Sequence, residues 1–296
     1  MARVLEALKK LNREDLRVLN VIELGMTRHL FVPFDEIVKA TGFDAERVEI
    51  ITRKLNMLGL IQRNIEGYVG YILTSRGYDC LALNVLKKRG LIEKIGASPI
   101  GVGKESDVYP AITSGGKLVV LKFHRVGRIS FRKTRRTRVY IGDRRHISWL
   151  YQSRLAARNE YEALKKLYPN KVRVPQPIDW NRHIVVTEYI EGVELFKASY
   201  LNDPHNVIED ILENVLKAWK AGVVHGDLSE YNILISEDEK PILFDWPQWI
   251  PSTHPMASYY LKRDMVTILK FFKRKYHLKI NTEEEAGKLL LEWGVS

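Results

Sequence analysis

The residues of this chain whose types and spacing could perform chemistry together lie between positions 225 and 245. The run His225-Gly226-Asp227 is followed, after four intervening residues, by Asn232. Two short apolar runs then lie on either side of an acidic turn and lead to Asp245. This order predicts a catalytic loop, a β-hairpin and an aspartate at the end of the hairpin.

These three polar side chains are of the types that phosphoryl transfer requires. Asp227 could accept or orient the proton of the attacking hydroxyl, whereas Asn232 and Asp245 offer the oxygen ligands that Mg²⁺ prefers. Each residue taken singly is more commonly a turn or cap residue. Their order and spacing favour a catalytic role, provided that the chain also contains elements that bind the phosphates of a nucleotide.

A Gly-rich stretch upstream meets that condition. It lies between two apolar runs and predicts a strand, a turn and a second strand, which would cover the phosphates. A Walker-type loop is the alternative, but it would need Gly at Ser98 and a helix after the turn. We therefore expect the turn residues to bind the cofactor, namely Gly101, Gly103, Lys104, Glu105 and Ser106.

A lysine embedded in the next predicted strand is the second phosphate-binding element. Residues 118–123 read as an apolar strand that contains Lys122, and an unpaired buried ammonium is costly. Residues 153–168 predict a helix in which Glu160 shares a face with apolar side chains, although a glutamate on a charged helix is more often exposed. We expect Glu160 to pair with Lys122, and we assign catalytic roles to Asp227, Lys122 and Asp245.

Together these motifs resemble those of the RIO family of atypical serine protein kinases, most closely the subfamily with an N-terminal winged-helix domain. The resemblance is carried by residues 101–107, Lys122, Glu160, residues 225–232 and Asp245-Trp246-Pro247-Gln248. Two departures from ordinary protein kinases are Ser106, where a third glycine would stand, and Trp246-Pro247, which replaces Phe-Gly. No long activation segment follows, which puts an ordinary groove for peptide substrates in doubt.

The resemblance implies ATP as the nucleotide, with Mg²⁺ or Mn²⁺, and backbone groups near Glu188 and Ile190 as the adenine site at the hinge between two lobes. It implies phosphorylation of serine or threonine, autophosphorylation, and a role in maturation of the small ribosomal subunit. The expected partners are the pre-small-subunit ribosomal particle and its rRNA. Two alternatives remain open: an ATPase switch that binds pre-ribosomal RNA without phosphorylating a protein, and a small-molecule phosphotransferase.

The first 90 residues predict a small helical domain that ends in a hairpin. Asn12 and Asp44 read as N-caps of its first and third helices, and residues 33–40 form a second helix between them. Two strands follow at residues 60–62 and 68–73, which completes the plan of a winged helix.

The third of these helices would be the recognition helix of the winged-helix domain. It offers several polar side chains that we expect on its outer side: Arg47, Thr52, Arg53, Lys54 and Asn56. Nucleic-acid contact and protein contact by this helix remain equal alternatives, because the fold does not decide between them. A connecting helix over residues 74–89 would end the domain.

The densest basic stretch of the chain is the loop 125–145, which holds nine arginines and lysines against Asp143. We expect it to contact the phosphates of a nucleic acid, with Phe131 and Tyr140 available for base stacking. A solvated insertion is the alternative. Three of its residues are candidate autophosphorylation sites: Ser130, Thr134 and Thr137.

The composition of the chain limits the cellular location and the binding partners that we expect. A net charge of +11 and an isoelectric point near 9.5 favour an acidic partner, of which nucleic acid is the commonest. One cysteine, Cys80, excludes an internal disulfide framework. With neither a secretory signal nor a run of membrane-spanning length, we expect a cytoplasmic protein that does not insert into a membrane.

The predicted fold class is α+β: a winged helix-turn-helix domain at residues 1–90, followed by a two-lobed protein-kinase-like domain at residues 91–296 that lacks a long activation segment. Its N-lobe would span about 91–188 and its C-lobe about 189–296. We also expect Thr282 and Glu285 to form a capping box for the last helix.

Overall fold

The computed structural model describes residues 1–126 and 149–295. The helices are α1 Ala2–Lys10, α2 Arg13–Gly25, α3 Phe34–Thr41, α4 Ala45–Met57, α5 Ser75–Lys88, α6 Trp149–Leu167, α7 Pro204–Lys220, α8 Ala257–Lys275 and α9 Thr282–Glu292. The strands are β1 Val32–Pro33, β2 Ile61–Asn64, β3 Gly70–Leu73, β4 Lys94–Ile95, β5 Gly101–Val102, β6 Ser106–Ile112, β7 Leu118–His124, β8 Pro177–Asn181, β9 Ile184–Glu188, β10 Val193–Glu194, β11 Val223–Val224, β12 Ile233–Ile235, β13 Pro241–Leu243 and β14 Ile250–Pro251.

The N-terminal domain has the predicted winged-helix plan, with helices α2, α3 and α4 and a three-stranded wing in the order β1-β3-β2. Asn12 caps α2 through a complete capping box with Asp15, and Asp44 caps α4, as the sequence predicted. Helix α1 was not predicted, because its alternation of charged and apolar residues hides an amphipathic helix. It buries Val4 and Ala7 and packs against α5.

The outer face of the recognition helix α4 differs from the prediction. Thr52 is fully buried and donates a hydrogen bond to the Glu49 carbonyl. Lys54 forms an ion pair with the buried Asp15 of α2, and Arg47 pairs with Glu14 of the same helix. Placing Thr52 on an open face was therefore wrong. Arg47 is exposed, as predicted, and Lys54 is partly exposed, but acids of α2 pair with both cations.

The N-lobe is an antiparallel sheet in the order β4-β6-β7-β9-β8, with β5 paired to β6. Strand β7 lies at its centre and alternates buried Val119, Leu121 and Phe123 with the half-buried Lys122. Helix α6 packs across the sheet against β7, β8 and β9. The α+β class and the two-lobed architecture are thus confirmed.

The C-lobe is mainly helical, with α7, α8 and α9 around two small sheets, β10-β12-β13 and β11-β14. Strands β12 and β13 form the predicted hairpin, in which Ile233 pairs with Leu243. The capping box predicted at Thr282 is wrong: Thr282 is the first helical residue, Asn281 occupies the cap, and no side chain caps the helix through a hydrogen bond. Asn281 instead donates to the Glu284 carboxylate.

Two hydrophobic cores hold these parts together. One core is continuous from the winged-helix domain into the N-lobe sheet and includes Leu19, Leu83 and Phe123. The other core fills the C-lobe and reaches α6. Winged helix and N-lobe are therefore packed as one body across their junction. No helix among the described residues is long and apolar enough to cross a bilayer.

Most of the basic loop 125–145 lies outside the described residues, including its three candidate autophosphorylation sites. Its first member, Arg125, is described and does not face an open surface. It forms a bidentate ion pair with Asp79 of α5 and a contact with Asp107 of β6. The assignment of Arg125 to a nucleic-acid surface was therefore wrong, because its guanidinium joins the two domains.

Candidate active site

Lys122 lies at the centre of a cluster that joins the two lobes. Its Nζ donates to Glu160 Oε1 at 2.7 Å and to Asp245 Oδ1 at 2.5 Å. Lys122 comes from the central strand of the N-lobe, Glu160 from α6, and Asp245 from the turn after β13. The predicted pairing of Lys122 with Glu160 is present, and Asp245 joins the same ammonium.

The electrostatics of this cluster favour the charged forms of Lys122 and Glu160. Burial alone would raise the pKa of Glu160, but the charge of Lys122 and the nearby His124 lower it to about 2. Burial alone would lower the pKa of Lys122, and the charges of Asp245 and Glu160 outweigh it, so that pKa is raised. A fixed ammonium is thus available at the cleft to meet a second anion.

His124 is a member of the cluster that we did not predict from the sequence. Its Nε2 lies 2.7 Å from Glu160 Oε2, and both side chains are buried. Glu160 is therefore held at both oxygens, by Lys122 on one and by His124 on the other. The two-residue spacing of Lys122 and His124 on one strand places them on one face, and this could have identified His124.

The loop that carries Asp227 is held by hydrogen bonds to its own backbone. Asn232 Nδ2 donates to the Asp227 carbonyl at 2.8 Å, which leaves the amide oxygen of Asn232 as the atom free to bind a cation. His225 Nε2 lies 3.1 Å from the Phe244 carbonyl, and its ring packs on Trp246. The loop and the turn that carries Asp245 are therefore joined directly.

Gly226 shows why this position needs glycine. Its φ of +76° lies in the left-handed region, and a Cβ there would approach the Gln248 carbonyl to 2.9 Å. Both polar groups of its backbone are bound from α8: the N–H donates to Asp264 at 2.8 Å, and the carbonyl accepts from Arg263 at 2.5 Å. Burial raises the pKa of Asp264 to about 6. Neither α8 residue was predicted, because both lie more than thirty residues from the loop.

Asp227 itself reaches solvent from this loop. Partial removal from water is the main reason that its pKa is raised above the ordinary value, and the charge of Asp245 adds to the effect. Arg263 acts in the opposite direction. A carboxylate with a raised pKa is a stronger base, which suits proton transfer near neutral pH.

Asp245 has an unusual backbone, with φ of +66°. The turn after it is fixed from two sides. Trp246 is buried and donates from its indole to the Leu243 carbonyl, while Asn159 of α6 donates to the Pro247 carbonyl at 2.6 Å. A left-handed Asp is energetically unfavourable, so the surrounding contacts must hold it. The turn thereby aims the Asp245 carboxylate into the cleft, where it is 40% exposed.

The Gly-rich stretch forms the predicted hairpin between β5 and β6, closed by a hydrogen bond from Gly103 N–H to the Ser106 carbonyl at 2.8 Å. A Cβ at Gly103 would meet its neighbours at ordinary van der Waals distance, 3.4 Å. The protein itself does not require glycine there. Because glycine has no side chain, a bulky anion such as a nucleotide phosphate could instead approach the backbone of this turn closely. Lys104 lies at the exposed tip of this turn.

The segment after β9 presents backbone groups at the junction of the lobes. The Glu188 N–H already donates to the Gln176 carbonyl, and its side chain accepts from the Gln176 N–H. Among the described residues, the Glu188 carbonyl accepts from the Thr187 hydroxyl at 3.2 Å, and no turn or loop hydrogen bond engages the Ile190 N–H. These two groups match the donor and the acceptor on one edge of adenine.

The donor set fits Mg²⁺ that is shared with a nucleotide. Across residues 1–126 and 149–295, no three His, Cys, Asp or Glu side chains converge as a metal-binding group. The amide oxygen of Asn232 and the Asp245 carboxylate come from adjacent ends of the β12–β13 hairpin, where Phe244 N–H donates to the Asn232 carbonyl. Mg²⁺ is typically held by one or two carboxylates together with substrate phosphates, so this sparse set suits it.

Comparison with known proteins agrees with this geometry. The RIO domain model matches residues 107–285, and the Rio2 N-terminal model matches residues 8–89. The chain is 42% identical to the RIO-type serine/threonine-protein kinase Rio2 of Methanocaldococcus jannaschii over 88% of this chain and 95% of that relative. It is 36% identical to the serine/threonine-protein kinase rio2 of Schizosaccharomyces pombe over 93% of this chain and 80% of that relative.

Among solved structures, the chain is similar to the Rio2 kinase-ADP/Mg²⁺-phosphoaspartate complex from Chaetomium thermophilum, with a TM-score of 0.82 and 36% identity. That match covers 96% of this chain and 88% of the other. Lys122, Glu160, Asp227 and Asp245 lie inside the match to the RIO domain model, and helices α2 to α5 lie inside the match to the Rio2 N-terminal model. This chain belongs to the RIO family of serine/threonine-protein kinases and carries the N-terminal domain of its Rio2 members.

Proposed function

We propose that this chain transfers the γ-phosphoryl group of ATP, bound with Mg²⁺, to a serine or threonine hydroxyl. The observation that carries the proposal is the Lys122 ammonium, held by Glu160 on α6 and directed at Asp245 on the opposite lobe. This cation bridges the lobes at the point where the phosphates of a nucleotide under the Gly-rich turn would lie. Membership of the kinase family supports ATP as the phosphoryl donor.

Each residue has one task in this reaction. Lys122 holds the phosphates, Asn232 and Asp245 ligate the cation, and backbone groups of Glu188 and Ile190 bind adenine. The cation, when bound, neutralises the charge that develops on the transferred group. Asp227 takes the proton from the acceptor hydroxyl, whose oxygen attacks the γ-phosphorus as the bond to ADP breaks. Glu160 positions Lys122 without touching the substrate.

A second candidate places the phosphoryl group on Asp245 itself. The solved relative from Chaetomium thermophilum is described as an ADP/Mg²⁺-phosphoaspartate complex. In this chain the φ of Asp245 is +66° and its carboxylate lies in the cleft. Its oxygen would attack the γ-phosphorus and release ADP, and Asp227 would then deprotonate a water that hydrolyses the acyl phosphate.

The two candidates differ in what Asp227→Asn does. If Asp245 only ligates the cation, Asp227→Asn abolishes phosphorylation of added protein and no hydroxylamine-sensitive phosphate is trapped on the enzyme. If Asp245 is the acceptor, Asp227→Asn accumulates a hydroxylamine-sensitive phospho-enzyme, and Asp245→Asn loses it. Mass spectrometry after incubation with ATP and Mg²⁺ locates the phosphate. A modified Asp245 decides for the second candidate.

The wider role is also a proposal. A net charge of +11 and a Rio2-type winged-helix domain support a nucleic-acid partner, and we propose the pre-small-subunit ribosomal particle and its rRNA in the cytoplasm. Labelled ATP with and without purified particles tests this directly. Label on protein or released as phosphate in a particle-dependent manner supports the proposal, whereas label on a small molecule supports a small-molecule phosphotransferase. Cell fractionation tests the location.

A further inference from the structure

The recognition helix is poorly suited to hold a phosphate backbone. Its cations Arg47 and Lys54 are paired with acids of α2, and Arg53 is paired with Glu49 at 2.9 Å. The side chains exposed beside them include Ile50 and Met57, which are apolar. If the chain binds nucleic acid with its described residues, the cations that do so lie elsewhere.

Exposed basic side chains lie instead at the carboxyl end of α8. Lys273, His277 and Lys279 are exposed, and within the part of the chain that the structure describes no ion pair involves them. Arg274 has 74% of its side chain exposed and touches Glu230 only at 3.4 Å. Glu230 is only 12% exposed, so a phosphate must bind the open side of Arg274 while Arg274 keeps its contact with Glu230.

Aromatic rings lie near Arg274, because its partner Glu230 directly precedes Tyr231. Tyr231 is 58% exposed, and its ring packs on Phe196 with centroids 4.7 Å apart. Lys197 lies over the other ring, 5.1 Å from the centroid of Phe196, and forms a solvent-accessible ion pair with Glu194. Lys275 holds the backbone that carries this ring pair, here called the platform, because its Nζ donates to the Phe196 carbonyl at 2.7 Å.

The platform is part of the catalytic loop. Tyr231 lies four residues after Asp227, and the Phe196 N–H donates to the Glu230 carbonyl at 3.2 Å. Arg274 therefore touches the side chain of a loop residue whose backbone supports the ring pair. A ligand that sits here lies next to the phosphotransfer site.

We propose that Phe196, Lys197, Tyr231 and Arg274, here called the Tyr231 patch, bind single-stranded RNA beside the active site. Bases stack on the exposed ring of Tyr231, and the phosphates lie along Lys197 and Arg274. The inference deepens the proposed nucleic-acid role and rests on it. It assigns that role to a surface on the C-lobe and not to the recognition helix.

Single-stranded RNA fits the patch better than an acidic peptide. Acidic side chains would use the cations and leave the exposed ring of Tyr231 without a partner. A nucleic-acid strand uses both, since stacking on aromatic rings and phosphate contacts are its two general modes of binding. Double-stranded RNA would not offer an open base face to the ring.

The test measures binding of a short fluorescein-labelled oligouridylate to the full chain by anisotropy over a range of salt concentrations. Tyr231→Ala should weaken binding about tenfold, whereas Tyr231→Phe, which keeps the ring, should bind like the wild type. Arg274→Ala should reduce the slope of log affinity against log salt by about 0.7. Lys288→Ala, which removes an exposed cation from α9, is the matched control and should change neither quantity.

The outcomes separate the inference from the proposed function. If the wild type binds no oligouridylate at low salt, both the nucleic-acid role and the patch fail. If it binds and Tyr231→Ala binds equally well, only the patch is overturned. If polyglutamate competes as well as unlabelled oligouridylate and both Tyr231 variants behave alike, the surface binds acidic peptides. Thermal unfolding of each variant checks that the fold is retained.

Discussion

Two buried charge clusters lie at the end of strand β7, and they differ in what they leave open. Lys122 and His124 meet Glu160 and Asp245 on one side. One residue further along, Arg125 meets Asp79, Asp107 and, through Asp79, His183. In the first cluster Asp245 keeps 40% of its side chain exposed, whereas in the second none of the four side chains exceeds 13%.

This difference distinguishes a candidate active site from a structural contact between two domains. Every member of the Arg125 cluster is sequestered, and Asp79 belongs to the winged-helix domain, so the cluster stabilises the junction between domains. The Lys122 cluster has an open side into the cleft and a cation that can exchange one carboxylate for a phosphate. Burial of charge does not by itself mark an active site, because structural ion pairs are buried as well.

Removing Asp79 from the Arg125 cluster, here called the closed cluster in contrast to the open Lys122 cluster, should have the largest effect on stability. Asp79→Ala leaves Arg125 without its bidentate partner, and loss of one member of a buried pair costs about 3–5 kcal/mol. Urea unfolding should show this loss, while turnover per folded molecule at low temperature stays near that of the wild type. Asp238→Asn, in an exposed turn, is the control. An unchanged midpoint for Asp79→Ala would contradict a structural role for the cluster.

Removing the cation of the Lys122 cluster should lower turnover, which Asp79→Ala leaves near that of the wild type. Lys122→Met deletes the phosphate ligand, and loss of such a charged contact lowers turnover about 100- to 1000-fold. Stability should also fall, because the buried Glu160 loses Lys122 and keeps its contact with His124, so turnover is compared per folded molecule. The control is Lys117→Met on the exposed turn before β7. A Lys122→Met enzyme with normal single-turnover kinetics would remove Lys122 from the site.

His124 should have a smaller effect, since it acts through Glu160. His124→Leu removes the imidazole that lies 2.7 Å from Glu160 Oε2, and we expect the loss of this polar contact with a charged group to change the rate about tenfold. We expect kcat to fall while the KM for ATP changes little, and His124→Gln, which keeps a donor, to recover part of the loss. Equal kcat for the leucine variant and the wild type would make His124 a packing residue only.

The pH dependence of stability is the smallest effect and arises in the closed cluster. Burial lowers the pKa of His183, so the unfolded chain binds a proton that the folded chain does not. Stability from this residue is therefore complete above its unfolded pKa of about 6.5 and is lost as the pH falls below it. Asp79 adds a further loss of stability in more acidic solution, because His183 and Arg125 lower the pKa of Asp79 despite its burial.

The measurement is the urea midpoint between about pH 7 and pH 5. His183→Gln keeps a donor toward Asp79 and cannot titrate, so its midpoint should vary less with pH than that of the wild type. His205→Gln, at an exposed position, should follow the wild type. Parallel pH profiles for all three proteins would exclude His183 as the source.

Local spacing predicted much of the candidate active site. Asp227, Asn232 and Asp245 lie within one loop and one hairpin, so their order in the sequence fixes their neighbourhood in space. Lys122 was identifiable because a charge inside an apolar strand needs a partner, and helical periodicity then selected Glu160. Those arguments use only residues that share a motif or an adjacent element.

The closed cluster and the supports of the catalytic loop were not predictable in this way. Asp79 is 46 residues from Arg125, and Asp264 is 38 residues from Gly226. No local pattern distinguishes these acids from exposed ones. The same reason explains why the partner of Lys54 was not predicted, since Lys54 resembled a solvated cation until α2 placed Asp15 against it.

Single-turnover consumption of labelled γ-phosphate by Asp245→Asn tests the assignment of the site most directly. Asp245 is needed whether it ligates the cation or accepts the phosphoryl group, so both routes predict the same result for this variant. With ATP binding measured separately and saturated, consumption should fall at least about 100-fold below the wild type. A rate within about twofold of the wild type would contradict phosphotransfer at the Lys122–Glu160–Asp245 cluster.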